Sequence, residues 1–235
     1  VSNLMQGDFI ERVNETFDDN KAVGELETRY TMGDRSPEFM LKYLTALIKL
    51  SSPKASFVAL ELFALLNDEQ RISPEFWMLY HPQFAMISSD MKNYLFSNIQ
   101  KFREKLGAEK VDELVGFQIN SDLDQVLYNA AAKISVEDID RTIQFIKQNK
   151  LQHSKQLIGL ANIVKLFKNK VCSVKAYKKA SKDMKPEEIP FADLYANILA
   201  MEPERAEEWK AWGKEIVDSL TDPKYIQWYK QLLQL

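Results

Sequence analysis

The chain has 235 residues, 46% of them hydrophobic and 28% charged, with a formal net charge of -3. This is ordinary globular composition with ample core for one large domain or two small ones, and no global charge excess points to nucleic acid. With 7 Gly and 8 Pro a loop-rich sandwich or barrel is disfavoured, no apolar run has the ~18 residues of a membrane span, and the single cysteine, Cys172, excludes an internal disulfide, a Cys-x-x-Cys pair and a multi-cysteine zinc site.

Apolar residues recur at helical spacing almost throughout, and no hairpin signal or convincing strand is found. The periodicity predicts helices at 8–18, 20–32, 37–50, 53–66, 74–80, 89–106, 108–132, 136–149, 153–170, 172–184, 187–200, 203–220 and 222–234, with a break possible near Asn120-Ser121. The chain begins at Val1 with no signal-peptide pattern ahead of the first of these, so it is expected to be cut from a longer precursor. Prolines mark the starts, because at the first helical position a missing N–H costs nothing. The tetrapeptide Ser-Pro-Glu-Phe occurs at Ser36–Phe39 and again at Ser73–Phe76, and each copy reads as serine cap, proline start, glutamate on the dipole and phenylalanine inward. The 37-residue spacing of the copies is near a helix-pair period. Gly33 and Gly107 stand where helices should stop. The segment Ser56–Leu66 is apolar on nearly all sides except Glu61, which predicts burial on both faces.

The expected fold is all-α: antiparallel helix pairs stacked into a right-handed, TPR-like superhelix, one domain over 1–235 with a sub-boundary possible near 133–136. The last two helices carry Trp209, Trp212, Tyr225, Trp228 and Tyr229, an aromatic set expected to pack between them rather than to line a groove.

Chemistry-bearing motifs are sparse. His81 and His153 are isolated, without a Cys partner or a second His at helical spacing, and read as structural rather than zinc-binding. Cys172 lies between Lys170 and Lys175, which would favour a thiolate, yet a half-buried structural cysteine is the expectation. No nucleophile-elbow or phosphate-loop glycine pattern occurs. Asp122 and Asp124 lack the rest of a calcium loop; these acids, like Glu137, Asp138 and Asp140, read as solvated helix starts, with Ser135 and Asp138 resembling a cap. No cofactor, catalytic residue or metal ligand is assigned.

Charge is distributed unevenly. Residues 1–140 carry a net -9, residues 183–235 a net -5, and the span Arg141–Lys182 carries +11 with no acidic residue at all. Lys175, Lys178, Lys179 and Lys182 are spaced to share one helix face, with Tyr177, Ala180 and Met184 opposite. They are the candidate contact for an anionic partner or an acidic face of another domain. The alternative is a solvated surface that complements the acidic flanks of the same molecule. Nucleic acid is disfavoured because the block has few aromatics and no recognisable module.

One stretch has a family look: Arg29-Tyr30, a Gly33-Asp34-Arg35 turn, Ser36-Pro37-Glu38-Phe39 and a helix with Tyr43-Leu44 and Leu47. It resembles the helical region that follows the thioredoxin domain in Bacteroidetes thioredoxin-like (thiol-disulfide isomerase/thioredoxin-related) proteins. The segments around Phe102–Val115 and Glu202–Asp218 are similar to further elements of that region. The resemblance implies a periplasmic or cell-envelope setting and a non-catalytic scaffold or interaction role beside a thiol–disulfide exchange domain. Neither that domain nor its Trp-Cys-x-x-Cys motif is in this chain, so no catalytic residue carries over. The alternatives are a stand-alone helical-repeat adaptor for a peptide or protein and an enzyme with a scattered site. Neither nucleic acid nor membrane insertion is expected.

Overall fold

The computed structural model describes residues 20–74, 76–77, 89–129 and 132–235; the expected helix at 8–18, residues 75 and 78–80 of the one expected at 74–80, and His81 lie outside them. The described residues are helical, without a strand. They fall into two compact units, Val1–Leu114 and Val115–Leu235, and the connection at 133–136 lies within the second.

In the first unit, α1 (20–31) ends in a two-bond helix-closing motif, Gly33 N–H to Tyr30 O and Asp34 N–H to Arg29 O. Gly33 sits at φ +98° there, where a side chain would be strained. α2 (Pro37–Lys49) begins at Pro37 and buries Phe39, Met40, Tyr43, Leu44 and Leu47. Ser36 holds the position before it in extended backbone, but its hydroxyl makes no capping bond; it donates to Asp34 Oδ1 at 3.0 Å, and that carboxylate also takes the Ser36 N–H. The expected serine cap is therefore replaced by an aspartate turn two residues upstream.

α3 (Ala55–Leu65) packs on α2 through Val58, Ala59, Leu62 and Phe63. It is buried on one face only: Phe57 is 73% exposed and Leu65 46%, so its all-round apolarity does not mark a middle layer. Its one charge, Glu61, has a structural reason. It accepts from the Tyr30 hydroxyl and from Arg35 Nε, whose guanidinium lies 3.7 Å from the Tyr30 ring centre and donates to the Tyr30 carbonyl.

A short α4 (Asp68–Arg71), absent from the expectation, is closed by a reciprocal cap between Asn67 and Gln70. Periodicity cannot reveal a single turn. The predicted 89–106 helix is two, α5 (Ser89–Ser97) and α6 (Ile99–Leu106). Asn98 separates them because its side-chain amide bonds the Tyr94 carbonyl that the backbone would otherwise use alone. Gly107, at φ +89°, ends α6. Trp77 and Phe102 meet edge to face in this unit's core, and Arg103 pairs with the buried Asp112 at 2.8 Å.

α7 (Ala108–Tyr128) runs without interruption through Asn120-Ser121. In the second unit, α8 (Val136–Gln148) begins at the expected Ser135–Asp138 capping box and packs on α9 (Ser154–Lys168). α10 (Val174–Ala180) is shorter than predicted, because Ser181 turns the chain with its hydroxyl on the Lys178 carbonyl. α11 (Phe191–Met201) starts after Pro190 rather than at 187, with a 3-10 turn at Pro186–Glu188 before it. α12 (Ala206–Ser219) and α13 (Pro223–Leu233) close the chain, α13 capped by Asp222.

The core of this unit is aromatic. Phe191 sits 6.0 Å from Trp209, 5.6 Å from Trp212 and 5.8 Å from Tyr229, ring centre to ring centre. Gly213 makes room for it, since a Cβ there would lie 2.9 Å from Phe191 Cζ. The packing expectation holds for Trp209, Trp212 and Tyr229. Tyr225 and Trp228 face outward, each 49% exposed, because α13 turns its 229/233 stripe inward.

Candidate functional site

Two surface depressions in the second unit gather polar side chains. The first is a groove of about 560 Å³ between α9 and α10. α9 supplies Lys155, Ile158, Asn162, Lys165 and Leu166, a stripe at three- and four-residue spacing that Asn169 extends just past its end; Ala176, Lys179 and Ala180 of α10 face it, with Lys182 and Asp183 just beyond. The floor is aliphatic and the rim is lysine and amide. The two helices approach closely because residue 159 is glycine: a Cβ there would come within 2.8 Å of Met184 Cγ and 3.2 Å of the Ala180 carbonyl.

The predicted lysine face divides in this setting. Lys179 and Lys182 reach the groove. Lys178 turns to Glu215 on α12 at 2.7 Å, and Lys175 is exposed away from the groove lining. Sequence reasoning missed Lys155 and Lys165, which lie one helix earlier. The signal available was the acid-free span itself, which covers both helices. Lys165 is held by Asp140 at 2.8 Å. Lys155, Lys179 and Lys182 form no ion pair among the described residues.

The second depression, also about 560 Å³, is acidic. Phe117, Asn120, Ser121, Asp124, Gln125 and Tyr128 form one stripe of α7, facing Glu187, Glu188 and Asp193. Phe117 is 54% exposed and Tyr128 86%. Asp124 accepts from Asn120 at 2.9 Å, yet burial, with Asp193 adding repulsion, pushes its carboxyl up to about 6. Asp122 accepts from Gln118 instead. Both acids stand inside α7 rather than at a helix start, which corrects the solvated-start expectation for this pair. No group of three or more potential ligands able to hold a metal ion occurs among the described residues.

Cys172 is buried, its thiol donating to the Lys170 carbonyl at 3.6 Å, and burial pushes its pKa upward. The backbone carbonyl of the same residue receives the Trp209 indole N–H at 3.0 Å. This is the setting of a packed thiol, since a nucleophilic one needs its pKa lowered. His153 precedes α9 in left-handed backbone at φ +58°, without a capping bond.

Compared with known proteins, the chain matches no family model, no curated protein and no solved structure. No helix among the described residues is long and apolar enough to cross a membrane.

Proposed function

We propose that the chain is a non-catalytic helical interaction region that docks a protein or peptide partner. The α9–α10 groove carries this reading: a concave aliphatic floor bordered by lysines and amides suits a bound segment better than it suits bond-making chemistry. The packed state of Cys172 supports it, because the chain's only thiol is held protonated and covered. The polar groups of the Arg29–Ser36 stretch are spent on each other and on Glu61, which agrees with a scaffold role for the residues that bear the family resemblance.

In the fuller form of this proposal the helices stack as TPR-like antiparallel pairs, as α2 with α3 and α8 with α9 suggest. The region then accompanies a thioredoxin-like thiol–disulfide exchange domain in the periplasm or cell envelope of a Bacteroidetes species. That part rests on the sequence resemblance alone. Reading the coding sequence upstream of Val1 tests it: a thioredoxin domain with Cys-x-x-Cys is the expected result. Its absence leaves a stand-alone adaptor, the second reading.

A further inference from the structure

We propose that the α9–α10 groove is a docking site for an acidic, amphipathic peptide segment of a protein partner. This deepens the interaction reading above and rests on it.

The argument starts from what the groove leaves unsatisfied. Lys155, Lys179 and Lys182 have no carboxylate partner among the described residues, although acidic side chains are plentiful elsewhere in the chain. Asp183 is the one acid lining the groove. Four lysines against one aspartate leave a positive rim even with Lys165 tied to Asp140. The side chains between them are aliphatic: Ile158, Leu166, Ala176 and Ala180. Lysines alone on an open surface would attract any anion weakly. Lysines bordering an apolar trough select an anion that carries apolar side chains as well, because both parts must leave water together.

Geometry narrows the occupant further. The stripe from Lys155 to Asn169 spans 14 residue steps of helix, roughly 21 Å at about 1.5 Å per residue. This length matches three to four turns of a partner helix, or a shorter extended segment. The side-chain amides of Asn162 and Asn169, which bond nothing among the described residues, provide a donor and an acceptor along the way. No aromatic ring lines the groove, so nothing stacks on nucleobases, which sequence-tolerant single-strand binders need. Gly159 keeps the trough in this shape by letting the end of α10 and Met184 close onto α9.

The test is a titration by fluorescence anisotropy of the full chain with labelled helical peptides of about 14 residues. The first has a leucine stripe flanked by glutamates; a second has glutamine for glutamate, a third lysine for glutamate. A thymidine oligonucleotide serves as a further probe. We expect the glutamate peptide to bind at least about tenfold tighter than the other two peptides, and more weakly as salt rises from about 50 to about 200 mM. Two variants locate it. Replacing Lys155, Lys179 and Lys182 together by alanine changes exposed side chains and should weaken binding about tenfold or more. Ala176→Trp keeps every charge and fills the trough, and should weaken it similarly, while Lys214→Ala on α12 should change nothing.

Unaltered affinity in Ala176→Trp would overturn the inference by showing that surface charge alone binds. Equal or tighter binding of the oligonucleotide would overturn it in favour of nucleic acid. Binding of the glutamine or lysine peptide, insensitive to these variants, would overturn the groove assignment while the interaction reading survives elsewhere on the surface. Binding of no peptide would remove both.

Discussion

The second unit carries two depressions of equal size and opposite sign, and they differ in how their charges are held. The lysines of the α9–α10 groove sit on long flexible stems that let the ammonium groups spread into water. In the α7–α11 depression two of the carboxylates, Asp124 and Asp193, sit on the short aspartate stem close to their helices. Burial of the Asp124 carboxyl, with Asp193 adding repulsion, raises it to about 6. Like charges gathered on a protein surface therefore cost little or much according to side-chain length and burial. The basic groove is a cheap feature to keep; the acidic one bears a standing penalty. The contrast extends to a third polar set, the Arg29–Ser36 corner with Glu61, where opposite charges satisfy one another and little is left for a ligand.

The largest expected effect bears on what shapes the basic groove. Gly159→Ala places a methyl against Met184 and the Ala180 carbonyl. The Met184 side chain can swing away but the backbone oxygen cannot, so the variant should lose about 2 kcal/mol, read from the urea midpoint. No loss would mean that α10 is free to shift and that the trough has no fixed form.

The acidic depression is tested by pH. The folded pKa of Asp124 lies above its ordinary value, so the folded state binds this proton more tightly than the unfolded chain. Stability should therefore fall as pH rises from about 4 to about 6 and then level off. Asp124→Asn should remove that contribution and stabilise the fold above pH 6 by about 1 kcal/mol, the side chain being partly solvated. Urea denaturation of both proteins at about pH 5 and about pH 7.5 measures it. Identical slopes would show that the Asp124 carboxyl is solvated well enough to keep its ordinary value.

The corner should behave oppositely to both grooves. Arg35→Ala removes the contact with the Tyr30 ring, the bond to Glu61 and those to the carbonyls of Tyr30 and Asp34. A loss of about 1 kcal/mol is expected, since the pair is part-exposed. An unchanged urea midpoint would mean that the corner, too, holds polar groups in reserve.

These cases show what the sequence discloses. Helix content, the proline starts at Pro37 and Pro223 and the Ser135–Asp138 cap are local and were legible. The acid-free span announced the basic groove because both of its helices lie within that span. The acidic depression was not legible, since Asp124 and Asp193 are 69 positions apart and only packing joins them. Nor was the role of Glu61 or the displacement of the Ser36 cap by Asp34, because each depends on where a second side chain falls. The apolar face of α3 misled for a related reason: periodicity reports what a helix is able to bury, whereas Phe57 shows what its neighbours leave open.

The smallest expected change is the one that separates a ligand site from a structural one. Lys178 and Lys179 stand in the last turn of α10, where a cation favours the negative end of the helix dipole. If Lys179 and Lys182 serve chiefly to hold that helix end, removing them should destabilise the unit by about 1 kcal/mol or more. If they are held out for a partner, the double variant Lys179→Ala with Lys182→Ala should leave the urea midpoint within about 0.5 kcal/mol of the parent. The latter is expected, because α10 is anchored from its other side by the buried Tyr177, whose hydroxyl donates to the Val171 carbonyl at 2.6 Å. A buried aromatic with a satisfied hydroxyl outweighs a solvent-screened cation at a helix end, so the stability of this helix should be nearly indifferent to its lysines.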